Sequence, residues 1–268
     1  MTKNNQFVSL FMNKKAKDAG FDTSKLTKIL DATYAKEYNT EETKTKTGFA
    51  PSTLFYGEGD CPRRWFLAFS GAPFNKVVDA YSADNMRSGT DAHRRIQDNL
   101  LQSDLDIIVE EELENEDPPI HCFVDVVVRN FEGQEEIPIE IKTTRSEAFA
   151  HLVVKNEGRD YQVAQLLLYM YLKNTPWGAL LYENKNDHKK LLIPVEMTPE
   201  RKAKIERVFE WMRIVYKNWQ DGTLPERPYR KNSKICSGCQ LKEWCFEQDA
   251  GVIELPTLSK YTKEDATH

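Results

Sequence analysis

The sequence predicts an α/β fold in the order helix, three strands, helix, two strands, with helical additions at both ends. Three observations predict it. Short β-rich runs fall into a group of three and a group of two; a helical period precedes the first group and separates it from the second. Four of the five cysteines are also split, with Cys61 near the front and Cys236, Cys239 and Cys245 in C-x2-C-x5-C near the end, so the two ends of the chain are expected to meet.

Residues 1–50 are Lys-rich and weakly periodic and read as a polar, helical extension with a mobile link through EETKTKTG. Ser52 to Phe69 carries aromatic residues around Cys61, and Pro62 opens a helix bearing Arg63 and Arg64, which puts Cys61 at a helix start. In Asp84 to Leu101, Met86, Gly89, His93, Ile96 and Leu100 recur on one helical face. Ile107–Leu113, Cys122–Arg129 and Ile137–Thr143 read as strands, the last two joined by the Gly-containing turn NFEGQ. Asp160–Leu172 returns to helical period: Val163, Leu166, Leu167 and Met170 take one side, and Tyr161, Gln165 and Tyr169 line another with polar tips. Strands follow at Ala179–Glu183 and Lys190–Val195. Thr198 then caps and Pro199 opens a long helix whose apolar stripe runs from Ile205 to Trp219 and stops near Gly222. The tail after Val252 is polar and expected to fray.

With 268 residues, 40% hydrophobic and 29% charged, the chain is long enough for one large or two small globular domains. No apolar run approaches the roughly 18 residues that span a bilayer, and MTKNNQFVSL lacks a secretory layout, so a cytoplasmic protein with no membrane partner is expected. The net charge of -5 argues against indiscriminate polyanion binding by the whole molecule. Charge is segregated, however. Asp104 to Asp117 holds eight acids and no base, whereas Pro199 to Lys234 holds ten Lys or Arg against five acids. An acidic metal pocket beside a basic phosphate track and a merely solvated basic helix face both fit this pattern.

An odd cysteine count in a reducing compartment disfavours a disulfide framework and leaves Cys122, inside CFVDVVV, as a buried core residue. The other four fit a four-thiolate metal centre. Closing a loop of that length costs on the order of 4 to 5 kcal/mol, so ligation would clasp the architecture. Asp125 lies mid-strand among residues that prefer burial and therefore needs a cation or donor. Glu140 and Lys142, in IPIEIKTT, share a strand face by period 2. If Asp125 and Glu140 lie on adjacent strands, two carboxylates and an ammonium converge. That set binds a hard divalent ion and stabilises a negative transition state, as phosphodiester hydrolysis requires.

Together, GTDAHRRIQ around His93, FVDVVV at Asp125, Glu140-Ile141-Lys142 and Gln165 to Tyr169 resemble the RecB-like branch of the PD-(D/E)XK nucleases, from about Ser52 to Cys245. Val124 stands where the name-giving proline would be. Cys61 with Cys236, Cys239 and Cys245 is similar to the four-cysteine iron-sulfur pattern of the AddB nuclease domain and of the CRISPR-associated Cas-four exonucleases. The resemblance implies a PD-(D/E)XK nuclease core at about 83–196, a mixed central sheet flanked by helices, within a single domain at 51–250. It also implies a cluster lobe from 51–70 plus 198–250, which joins the helical extensions through a metal cluster, and a separate tail at 251–268.

By the same resemblance, His93, Asp125, Glu140 and the Ile141 carbonyl would hold Mg2+ or Mn2+, the nitrogen ligand tilting the choice to Mn2+. Lys142 would be catalytic, and Gln165 with Tyr169 would contact DNA or support the site. The cluster would be [4Fe-4S]; zinc, which favours two close cysteine pairs, is the rival on the same thiolates, and a redox role for CSGC lacks the expected context. The implied activity is metal-dependent DNA exonuclease action on single-stranded or frayed ends with 5′-phosphorylated products. Polarity, including 5′ to 3′, and endonuclease action stay open. Recombination, repair, phage DNA processing and CRISPR adaptation are consistent settings, with a helicase, recombinase or integrase as protein partner and an oligomer among the options. No GxxxxGK[ST] loop is present, so the chain is expected to stand alone rather than be a helicase itself. The alternatives are a catalytically silent DNA-binding or assembly module on the same scaffold and a zinc-stapled interaction protein.

Overall fold

The computed structural model describes residues 22–36, 45–75 and 78–247. The readings of residues 1–21, of the start of EETKTKTG and of the tail at 251–268 lie outside the described residues. Two compact units are distinguished, one from Met1–Thr40 with Val77–Met86 and the other from Glu41–Lys76 with Arg87–His268. In the first, α1 covers Thr23–Lys36, a largely exposed helix.

The second unit carries a five-stranded mixed sheet in sequence order: β1 Asp106–Asn115, β2 Ile120–Phe131, β3 Gln134–Thr144, β4 Trp177–Asn184 and β5 Lys190–Glu196. Neighbours are antiparallel except β3 and β4, which run parallel. The short helices α2 (Pro51–Leu54) and α3 (Pro62–Phe69) precede the sheet, and α4 (Ala80–Leu101) leads into it. The parallel crossover contains two helices, α5 (Ser146–Lys155) and α6 (Asp160–Lys173), followed after β5 by α7 (Pro199–Gln220) and the short α8 (Lys234–Gly238) and α9 (Lys242–Glu247). α5 had no counterpart in the sequence reading.

The larger core lies on one sheet face, where Trp65 and Phe69 of α3, Leu166 to Met170 of α6 and Ile205 to Val215 of α7 pack on Val124, Val127, Leu180 and Tyr182. On the other face, Ile96 of α4 packs on Val126, Val128, Ile139, Ile141 and Ala179. Val124 and Val126 are two residues apart yet join opposite cores, so the period-2 alternation slips by one at Asp125. The facing residue of β1, Glu110, has a left-handed φ of 50° and drops out of the ladder between Val109↔Val126 and Glu111↔Val124. At this paired kink the Asp125 side chain reaches the Ile141 N–H, next to Glu140 in β3.

Candidate active site

Four stretches of the second unit meet at the kink. β2 ceases to pair with β3 beyond Val126↔Ile139, and the Asp125 side chain takes over from the ladder: its Oδ2 accepts from the Ile141 N–H at 2.6 Å. Its Oδ1 faces His93 Nδ1 of α4 at 3.2 Å. Glu140, one residue along β3, is 2% exposed, and its Oε1 accepts from Lys142 Nζ and, at 2.8 Å, from Gln165 Nε2. Gln165 Nε2 also donates to Tyr169 Oη at 2.8 Å. Gln165 and Tyr169 are 5% and 3% exposed, because α6 is enclosed between sheet and α7. The Gln165 amide thus points at Glu140, with the Tyr169 hydroxyl behind it.

The electrostatics are those of a site short of positive charge. Burial and the neighbouring Asp125 push the Glu140 carboxyl up to about 7, against the downward pull of Lys142 and His93. Burial works to lower His93, but its hydrogen bond to Asp125 and the Asp125 charge outweigh it and hold the imidazole above its usual value. Among the described residues, Glu140 Oε2 is a buried oxygen with no hydrogen-bond partner. A buried carboxylate oxygen of this kind suits a hard divalent cation, although the ligand atoms of His93, Asp125 and Glu140 do not all lie within 4.8 Å of one another as those of Glu112, Glu114 and His121 do.

Sequence reasoning missed Gln97. One helical turn beyond His93, its Nε2 donates to the Asp125 carbonyl at 2.9 Å and to Glu110 Oε1 at 2.5 Å, filling the ladder position that the kink vacates. Its i+4 spacing from His93 was the available signal. A second group also escaped notice. Glu112, Glu114 and His121 lie close enough to share an ion on β1 and β2, all three exposed. Glu112 Oε1 is 2.6 Å from His121 Nε2.

The cysteine-bearing segments also meet. Cys61 is the N-cap residue of α3, with no side-chain cap hydrogen bond, and the Arg64 and Leu241 backbone N–H groups pull the Cys61 and Cys239 thiols down against their burial. Cys236 lies within α8, its N–H donating to the Ser233 side chain at 3.1 Å. Cys239 and Cys245 are near enough to Cys61 for their charges to act on it, and burial pushes the Cys61 thiol up to about 12. Two guanidiniums, from buried Arg63 at 3.5 Å and Arg227 at 3.1 Å, donate to the Cys245 carbonyl. Tyr229 donates to Asp60 at 2.5 Å and the Asn75 N–H to the Gln240 carbonyl at 2.8 Å. Burial thus disfavours the free thiolates of Cys61 and Cys239. Cys122 is buried in the larger core.

A family model for the PD-(D/E)XK nuclease superfamily matches residues 107–246, just over half of the chain. No curated protein matches it. Among solved structures, the chain is similar to one described as SSO0001, at 18% identity over 81% of this chain and 95% of that one, with a TM-score of 0.45. It is also similar to the alkaline exonuclease LHK-Exo from Laribacter hongkongensis, at 12% identity over 51% and 71%, with a TM-score of 0.43. For LHK-Exo in complex with dAMP the identity is 12% over 65% and 89%, with a TM-score of 0.49. No described helix is long and apolar enough to cross a membrane.

Proposed function

Because the chain belongs to the PD-(D/E)XK nuclease superfamily, we propose that it is a metal-dependent DNA exonuclease acting on single-stranded or frayed ends. The observation that carries this reading is the convergence of His93, Asp125, Glu140 and Lys142, with the buried Glu140 Oε2 left without a donor. His93, Asp125, Glu140 and the Ile141 carbonyl are the ligands of Mn2+ or Mg2+. When bound, the ion polarises a phosphoryl oxygen and acidifies water.

The remaining work falls to the chain. Asp125, tied to the Ile141 N–H, holds β2 and β3 at a fixed separation. Glu140 anchors Lys142, whose ammonium orients the attacking water and offsets the negative charge that develops on the phosphorus oxygens. Gln165, itself bound to Tyr169, fixes Glu140 Oε1 and so aims Oε2. These two are positioning residues in this account.

Cys61, Cys236, Cys239 and Cys245 are the ligands of a structural [4Fe-4S] cluster. Its support is the hydrogen-bonded lobe that gathers α3 and the α8–α9 segment. Degradation of end-labelled single-stranded DNA with Mn2+ tests the function: wild type is expected to shorten the strand, and Lys142→Ala and Glu140→Ala to lose the activity by 100-fold or more, on the order of what one such group contributes. Equal activity in all three would refute the site assignment.

A further inference from the structure

We infer that the groove between α6, β5 and α7 is the track that holds single-stranded DNA behind the cleavage site; this rests on the nuclease reading above. The groove is a cavity of about 730 Å³, within the span of roughly 300–1,000 Å³ usual for ligand sites. Arg201, Lys204 and Arg207 line it at three-residue intervals along α7, so that they follow one another by about 4.5 Å along the helix axis. Glu157 and Asp160 are the carboxylates in its wall. Arg159, between them in sequence, does not line the cavity but donates to Tyr161, which does.

What links the groove to the chemistry is Arg159. Its Nη2 donates to Thr144 Oγ1 at 3.4 Å. Thr144 lies two residues beyond Lys142 on the same face of β3, roughly 6.5 Å along the strand. A strand whose phosphate reaches Lys142 therefore meets a guanidinium at the next step. Arg159 Nη1 also donates to Tyr161 Oη at 3.3 Å, and the Tyr161 ring lies 5.2 Å from that of Tyr56, which is 63% exposed. An exposed ring backed by a half-buried one, beside a row of cations, is the composition that binds a flexible polynucleotide: the ring accepts unstacked bases and cations accept phosphates, without sequence preference. A duplex, whose bases are already stacked, gains nothing from Tyr56.

Anisotropy titration of a labelled oligothymidylate of about 12 nucleotides, in a Lys142→Ala background that preserves the strand, tests the track. Tyr56→Ala should weaken binding about tenfold, as one lost base stack does, while Tyr56→Phe binds as the parent. Lys204→Ala should lower the steepness of log affinity against log salt by about 0.7, the share of one phosphate on a single strand. In otherwise wild-type protein, Tyr56→Ala should raise KM for the long strand. Unaltered affinity and salt slope in both alanine variants, where the wild-type protein degrades DNA, would overturn the track alone. A wild-type protein that neither binds nor degrades DNA would instead remove the nuclease reading beneath it.

Discussion

Replacing Glu140 with Gln should change the pH dependence of stability in a direction that the site geometry fixes. The Glu140 carboxyl titrates near 7 in the folded, metal-free protein, against 4.5 for an ordinary glutamate. Between those values the folded chain keeps a proton that the unfolded chain has released, so rising pH favours unfolding. The difference corresponds to on the order of 3 kcal/mol, fully present below pH 4.5 and lost by the time the pH has passed 7. With Glu140 only 2% exposed, solvent screens little of it. His93, whose value is also raised, loses stability in the same direction.

Urea unfolding of metal-free wild type and Glu140→Gln across this range isolates the residue, because contributions common to both chains cancel in the difference. Wild type should lose about 3 kcal/mol relative to Glu140→Gln as the pH rises, and saturating Mn2+ should abolish that loss. A difference that stays constant from pH 4.5 to above 7 would refute the idea that Glu140 is held short of positive charge.

Gln97→Ala removes the donor to the Asp125 carbonyl and to Glu110, and is expected to cost about 1–3 kcal/mol in urea unfolding and to lower kcat more than KM. Gly59→Ala would put its Cβ 2.0 Å from the Thr53 carbonyl oxygen and 2.3 Å from that of Leu54, both backbone. It should destabilise the Cys61 lobe by about 3 kcal/mol and reduce bound iron in a metal assay. Cys61→Ser should bleach the brown colour expected of the purified protein and lower its melting temperature; a wild type that is colourless with stoichiometric zinc would replace iron by zinc at these thiolates.

Much of this molecule is legible in its sequence because its elements obey local rules. The period-2 runs gave β1 to β5 to within a few residues, and Pro62, Thr198 and Pro199 marked helix starts that the structure keeps. α5 went unread: it is short, and Val153 and Val154 face solvent, so its SEAFAHLVVK pattern lacks a clean apolar stripe. The burial of Gln165 and Tyr169 was hidden for another reason. Periodicity reports which residues share a face, but not that a second layer, α7, covers the helix. Likewise the slip at Glu110 and Asp125 leaves no mark in composition, since FVDVVV reads as one unbroken strand. The kink is nevertheless where Asp125 reaches the Ile141 N–H beside Glu140, and Gln97, which stabilises it, is an ordinary polar residue outside any motif.

Whether His93, Asp125 and Glu140 share one divalent cation is read from an anomalous difference map of a crystal soaked in Mn2+. A manganese peak is expected within bonding distance of the Glu140 and Asp125 carboxylates and the His93 imidazole. A peak confined to Glu112, Glu114 and His121, with the Glu140 pocket empty, would contradict it.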